Sequence, residues 1–185
     1  IPAASEQWNF MEVKVSPDRL ASLFDLHHLR LYRLARRISG DPEEARDLVQ
    51  TAFLRAARRS ASIPGTDTGA EAWLVRTLVN LCRDRKRRMR VRRTHESTFP
   101  AGPPAVSGPE SAAVARVTVE RALARLSPRR RAVLVLHELE GKDAAGISRL
   151  LGIRRVTVRW HLAKARAELK RILLAPPGGK EGESE

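Results

Sequence analysis

An all-α fold of two small helical domains joined by a flexible linker, the second holding a helix-turn-helix, is the architecture this sequence predicts. Three observations lead there. Both halves are rich in Leu, Ala and Arg, with apolar residues returning at a period near 3.6. Neither half shows the sustained alternation of β-branched and polar residues that marks a strand. Between them lies STFPAGPPAVSGPES (Ser97–Ser111), with four Pro, two Gly and three Ser, a composition part extended and part flexible. The organisation that follows is an N-terminal extension (1–16), a helical domain (17–96), the linker (97–111), a second helical domain (112–174) and a disordered tail (175–185).

In the first half, one helix is expected from Pro17 to about Ser39, stopped by Gly40. DPEE (Asp41–Glu44) starts the next: Asp41 caps, Pro42 suits the first helical position, and Glu44 completes a capping box. Its buried stripe is Ala45, Leu48, Val49, Ala52 and Ala56. Ser60 to Gly69 reads as a loop. A third helix runs from about Ala70 to Arg88 or beyond, burying Trp73 or Leu74, then Leu78 and Leu81. In the second half, a helix spans about Ser111–Leu126, Ser127-Pro128 opens another that ends near Gly141, and a short helix covers Asp143–Leu151.

Gly152 then turns the chain into IRRVTVRWHLAKARAELKR (Ile153–Arg171), a basic helix. With Val158 at zero and 100° per residue, Leu162, Ala165, Leu169 and Ile172 fall within about 40° of it and face inward. Arg155, Arg159, Arg166 and Lys170 fall at about 60° to 120° as one basic flank, Lys164 at about −120°, and Trp160 nearly opposite the core stripe. A short helix, a tight Gly turn and a longer basic helix make a helix-turn-helix, whose second helix enters the DNA major groove. Arg154 and Arg155 stand at its N-terminus, where the helix dipole disfavours cations unless an external anion answers them.

Charge points the same way. Lys plus Arg number 35 against 21 Asp plus Glu, a net +14 with a pI near 11.3, which favours a nucleic-acid or anionic-membrane partner. RDRKRRMRVRR (Arg83–Arg93) holds eight cations and one anion and reads as a phosphate-binding segment. Asn80, Asp84 and Arg87 share one stripe of that helix. No apolar run approaches the ~20 residues of a membrane span, so no membrane insertion is expected. IPAASEQWNF at the start lacks the basic and apolar regions of a secretion signal. Cys82 is the sole cysteine, which excludes an intrachain disulfide and suits a reducing cytoplasm, and it reads as a small buried residue. His27 and His28 point about 100° apart and read as surface. There is no P-loop, no metal-spaced His/carboxylate set and no nucleophile motif, so no catalytic residue, metal or cofactor is assigned and no enzymatic activity is expected.

The residues also carry a family resemblance. In LSPRRRAVLVLHELEGKDAAGISRLLGIRRVTVRWHLAKARAEL, the positions Leu126, Pro128, Arg131, Val133, Leu151, Gly152, Ile153, Thr157, Val158, Leu162, Ala165 and Arg166 resemble region 4 of bacterial sigma factors. DLVQTAFLRA (Asp47–Ala56) and AWLVRTLVNLCRDRKRR (Ala72–Arg88) are similar to region 2. Both motif sets, in order around a linker and covering about 150 residues, give the short extracytoplasmic-function (ECF) layout. The resemblance implies a promoter-specificity subunit: core RNA polymerase and promoter DNA as partners, an anti-sigma factor as inhibitor, and a cytoplasmic, nucleoid-associated location.

Carried over residue by residue, it implies polymerase contacts at Asp47, Gln50, Thr51 and Leu54. It implies −10 contacts at Asn80, Arg83, Asp84, Arg87 and Arg88, with Ser60–Gly69 as the loop that takes a flipped base. The −35 contacts would be Arg154, Arg155, Arg159, Lys164, Arg166 and Lys170. Thr51 replaces the family's usual acidic residue. Ala72 before Trp73 removes the paired aromatics of housekeeping sigma factors, which implies less assisted melting and a narrower promoter repertoire; Trp73 itself is expected in the core. Two rivals remain. TVRWHL is also similar to LuxR-type regulators, though such a protein has no reason to carry the first-half motifs. A basic helical protein binding RNA or membrane surface without sequence preference is the other.

Overall fold

The structure is a computed structural model that describes residues 17–95 and 111–174, all of them in helices and short connections with no strand. The expected extension (1–16) and tail (175–185) lie outside the described residues, as does the expected linker except Ser111, which begins a helix instead. The elements are α1 (Pro17–Ser39), α2 (Pro42–Arg58), α3 (Asp67–His95), α4 (Ser111–Arg125), α5 (Pro128–Glu138), α6 (Ala144–Leu151) and α7 (Arg155–Leu174), with a 3₁₀ turn at Ser60–Ser62.

Helix starts follow local chemistry. Asp41 accepts from the Glu44 N–H, Ser127 from Arg130 and Asp143 from Gly146, each satisfying a donor the helix leaves unpaired. The third helix begins three residues earlier than its apolar pattern suggests, because the Thr66 carbonyl accepts from Ala70 and its hydroxyl from the Gly69 N–H. Gly40, Gly141 and Gly152 hold positive φ where turns demand it.

Helices α1, α2 and α3 pack around Leu31, Leu34, Leu48, Leu74, Leu78 and Leu81. Helices α5, α6 and α7 pack around Val133, Leu136, Ile147, Val158 and Leu162. These are the two helical domains. They do not stand apart: α1 and α3 lie against α5, α3 also lies against α6, and the buried apolar residues form one continuous cluster across the seam.

Polar contacts hold the same seam. Arg30 of α1 binds Glu71 of α3 and also Glu140 of the α5–α6 turn at 2.6 Å. Lys86 of α3 donates to the carbonyls of Leu126 (2.8 Å) and Ala124 (3.2 Å), closing the C-terminal end of α4 as a cation should. Arg131 is buried between the halves with its Nε unpartnered, and its guanidinium lies 3.8 Å from where a side chain on Gly40 would begin.

Candidate nucleic-acid interface

The turn before α7 is fixed from its own residues. Gly152 is left-handed (φ 63°), its N–H bonds to the Ser148 carbonyl, and the Ile153 N–H reaches the same carbonyl at 3.2 Å. The Ser148 hydroxyl donates to the Ile153 carbonyl at 2.6 Å. This closure caps α6 and launches α7. Val158, Leu162 and Ala165 are buried, with Ile172 and Leu169 half-buried below them, so the predicted stripe is the one that packs.

The opposite side of α7 is solvent-facing. Arg154, Arg155, Arg159, Lys164, Arg166 and Lys170 are all exposed. Arg166 differs from the others: its guanidinium sits 2.7 Å from Glu138 of α5. That hydrogen bond holds the Glu138 carboxyl below the usual carboxylate range. Trp160 is 49% exposed and Val156, one turn earlier, 68%. The Arg130 guanidinium lies 5.5 Å from the Trp160 ring centroid and is itself held by Glu168 at 2.8 Å. His161 meets the indole edge-on at 4.9 Å. Burial, then Arg129 and Arg130, lower its pKa, so its ring stays neutral beside two guanidiniums.

On α3, Asn80 and Asp84 are half-buried, and Arg83, Arg87 and Arg88 project outward from the same stretch. Not every cation of the 83–93 run is available to phosphate. Lys86 is committed to the seam, and Arg85 lies 3.7 Å from Glu44 of α2. Trp73 is half-buried against the core, as expected of a packing residue. The loop before α3 is shorter than the sequence reading, and both Ser60 and Ile63 are buried in it.

On α2, Asp47 and Gln50 are exposed, Leu54 is 51% exposed, and Thr51 is half-buried. Gln50 and Leu54 border a groove of about 760 Å³ that the sequence reading did not foresee. Its far wall is α1: Leu20, Phe24, His28 and Tyr32. Phe24 stacks on His28 at 4.6 Å and meets Phe53 edge-on at 4.9 Å. The available signal was Phe24 and His28 four apart, one helical turn on one face. The reading of both histidines as surface fails for His27, which is buried between α1 and α3 with its Nε2 unpartnered; burial lowers its pKa against the pull of Glu71.

Among the described residues, no group of His, Cys, Asp and Glu could hold a metal ion, and no helix is long and apolar enough to cross a membrane.

Comparison with known proteins is consistent across both halves. Residues 23–92 match the family described as Sigma-70 region 2, and residues 116–169 match Sigma-70, region 4. The ECF RNA polymerase sigma factor SigM of Mycobacterium tuberculosis is 37% identical over 163 residues, covering 86% of this chain and 80% of that protein. SigL of the same organism is 36% identical over 156 residues, covering 83% and 88%. The sigma factor RpoE of Bartonella quintana, solved with the anti-sigma factor NepR, superposes with a TM-score of 0.57 at 23% identity over 84% of this chain and 97% of its own. CnrH, solved with the cytosolic domain of CnrY, gives 0.58 at 24% identity over 84% and 88%. Those two likenesses speak to the fold, two helical domains and a linker. With both regions matched and relatives above one-third identity across most of the chain, the protein belongs to the ECF sigma factors of RNA polymerase.

Proposed function

We propose that this chain docks on core RNA polymerase through the outer face of α2, reads the −10 element with α3 and the −35 element with α7, and so directs initiation at a restricted set of promoters. The observation that carries it is the pairing of two exposed basic helical faces, one in each sigma region, with a solvent-facing Asp47/Gln50/Leu54 surface on α2. Arg83, Arg87 and Arg88 meet −10 phosphates, with Asn80 and Asp84 beside the bases. Arg154, Arg155 and Arg159 reach −35 base edges from the N-terminal end of the recognition helix. The functional units are 17–96 and 112–174, and the chain acts on the nucleoid in the cytoplasm, with no catalysis of its own. One solved structure of the same fold, the sigma factor RpoE, was captured with the anti-sigma factor NepR. An inhibitor of that class is proposed here also, and the α1–α2 groove beside Gln50 offers it apolar footing.

Run-off transcription with core polymerase over a genomic fragment library tests the whole reading. Discrete start sites that persist at physiological salt support it. Uniform binding that collapses with salt would leave only a nonspecific polyanion binder. Charge reversal at Asp47 with Gln50→Ala should weaken core binding while the helical circular-dichroism signal stays intact. Unchanged core affinity would remove the α2 assignment.

A further inference from the structure

The outer face of α7 carries an apolar stripe amid its arginines, which a purely electrostatic DNA anchor does not need. Val156 and Trp160 lie one turn apart on the same face, 68% and 49% exposed. Neither is covered by the first half, whose substantial contacts to the second are made through α5 and α6. The indole does not float. Arg130 stands over its ring, Glu168 fixes Arg130, and His161 abuts its edge. Those three contacts hold the ring in one orientation before any partner arrives, so little side-chain entropy remains to be lost on binding.

The setting selects the partner. Arg159 and Lys164 flank the indole in sequence and Arg129 adjoins the Arg130 that stands over it, and an apolar protein surface would leave those three cations unanswered. A polyanion that also presents small apolar groups fits both features. In duplex DNA that group is the C5-methyl of thymine, which projects into the major groove and is read by apolar side chains. Stacking on an unpaired base is the alternative use of an exposed Trp, but a helix in the major groove of paired DNA meets base edges, not base faces.

We propose that Trp160 is a specificity-determining residue that reads a thymine methyl within the −35 element, with Val156 extending the same apolar contact toward the helix N-terminus. This rests on α7 being the −35 reader. Trp160 sits in the second turn, immediately after Arg159, so a thymine read by the indole should lie next to a pair read by arginine. The sequence preference would then combine an arginine-read guanine with an adjoining A·T pair of fixed polarity. Arg130, paired with Glu168, keeps the ring's orientation rather than serving as a phosphate contact.

The test uses holoenzyme assembled from the full chain and core polymerase, on a promoter duplex selected by transcription from a randomised library. Each thymine of the selected −35 element, on either strand, is replaced in turn by deoxyuridine, which removes only the methyl. Wild-type holoenzyme should lose about fourfold in affinity at one position, the worth of burying one methyl group. Trp160→Ala should bind the thymine duplex more weakly and be indifferent to deoxyuridine there, while Trp160→Phe keeps part of the discrimination. A wild type indifferent to every replacement, a selected element without thymine, or a Trp160→Ala protein with an unchanged deoxyuridine penalty would overturn the proposal. In the last case the ring is only a prop for Arg130. Wild-type holoenzyme that prefers no −35 sequence overturns the −35 reading itself, and this assignment with it.

Discussion

Arg155, Arg159, Arg166 and Lys170 carry like charge on one flank of one helix, yet their surroundings divide them. Arg155 and Arg159 are exposed near the N-terminal end, where bidentate bonding to guanine is worth ~1–3 kcal/mol of discrimination per good pair. Alanine at either should relax preference at particular −35 positions in an affinity panel. Lys170→Ala should weaken binding to all duplexes alike and make the salt slope shallower by about 0.9. Arg166 is already answered by Glu138, so Arg166→Ala should change that slope less, and Glu138→Gln should raise affinity for every duplex at low salt. Four uniform effects of equal size would show a helix that anchors and reads nothing. The sequence could assign the flank but not this split, because Glu138 lies on another helix. A second residue-scale consequence concerns acid. Burial lowers the pKa of His27 and of His161, so the folded state takes up their protons less readily than the unfolded chain. Their stabilising contribution is full above the ordinary histidine pKa of 6.5 and is lost as pH falls below it. Urea unfolding should therefore show stability declining as pH falls below about 6.5, and His27→Gln should flatten that decline.

At the scale of elements, α6 is the one that cannot hold itself. Eight residues are too few for a helix to persist in isolation, so its ends and its buried face carry it. Asp143 caps one end, and Gly146, which costs ~1 kcal/mol in a helix, supplies the capped N–H. A side chain at Gly146 would begin 3.0 Å from the capping carboxylate, so the glycine keeps that cap uncrowded. Gly152 closes the other end at φ 63°, where a Cβ costs roughly 1–2 kcal/mol. Gly152→Ala and Asp143→Ala should each lower stability to urea, the cap by about 1 kcal/mol. Gly152→Ala should also reduce −35 binding more than its stability loss explains, because that turn aims α7. Equal, small effects of both on binding would separate the turn from recognition. These elements were legible because caps, Pro at the first helical position and Gly at the stop are local signals. The start of α3 was not, since Thr66 caps it from within what composition marks as loop.

For the whole molecule, the packing of the two halves is incompatible with the reading of two promoter elements at once. Elements named −35 and −10 are separated by some 25 base pairs, roughly 85 Å of duplex at about 3.4 Å per pair. Here α6 lies directly against α3, and the 141–150 segment faces residues 66–72 across a cleft of about 700 Å³. A flexible linker by itself would leave the halves without one fixed arrangement, but in the structure Arg30, Lys86, Arg131 and a shared apolar core hold them together. If the chain reads both elements at once, the proposed function requires the seam to open on polymerase; fifteen residues join the halves, about 50 Å at full extension. Cys82 reports on this without engineering. It lines the seam with Lys86, Leu126 and Arg131, and burial, then Glu44, pushes its thiol up to about 12. At pH 8 the free chain should react with a thiol reagent orders of magnitude more slowly than an exposed cysteine, because thiolate is scarce and shielded. Assembly with core polymerase should speed the reaction, and Arg131→Ala should speed it in the free chain. Cys82 equally slow in holoenzyme would show that the seam survives assembly.

The sequence by itself determined the helices, the caps of α2, α5 and α6, the two sigma regions and the charge of the two exposed basic faces. Each of these depends on neighbours three or four residues apart, or on a composition that no fold can change. Tertiary structure alone decided that Lys86 and Arg166 face protein partners, that His27 is buried, that Phe24 joins Gln50 and Leu54 around one groove, and that Arg130 stands over Trp160. Above all it decided that the two halves share one core. The physical reason is common to all of them. Periodicity states which face of a helix is apolar, but the element that covers that face is chosen by packing between residues tens of positions apart, which no local spacing records.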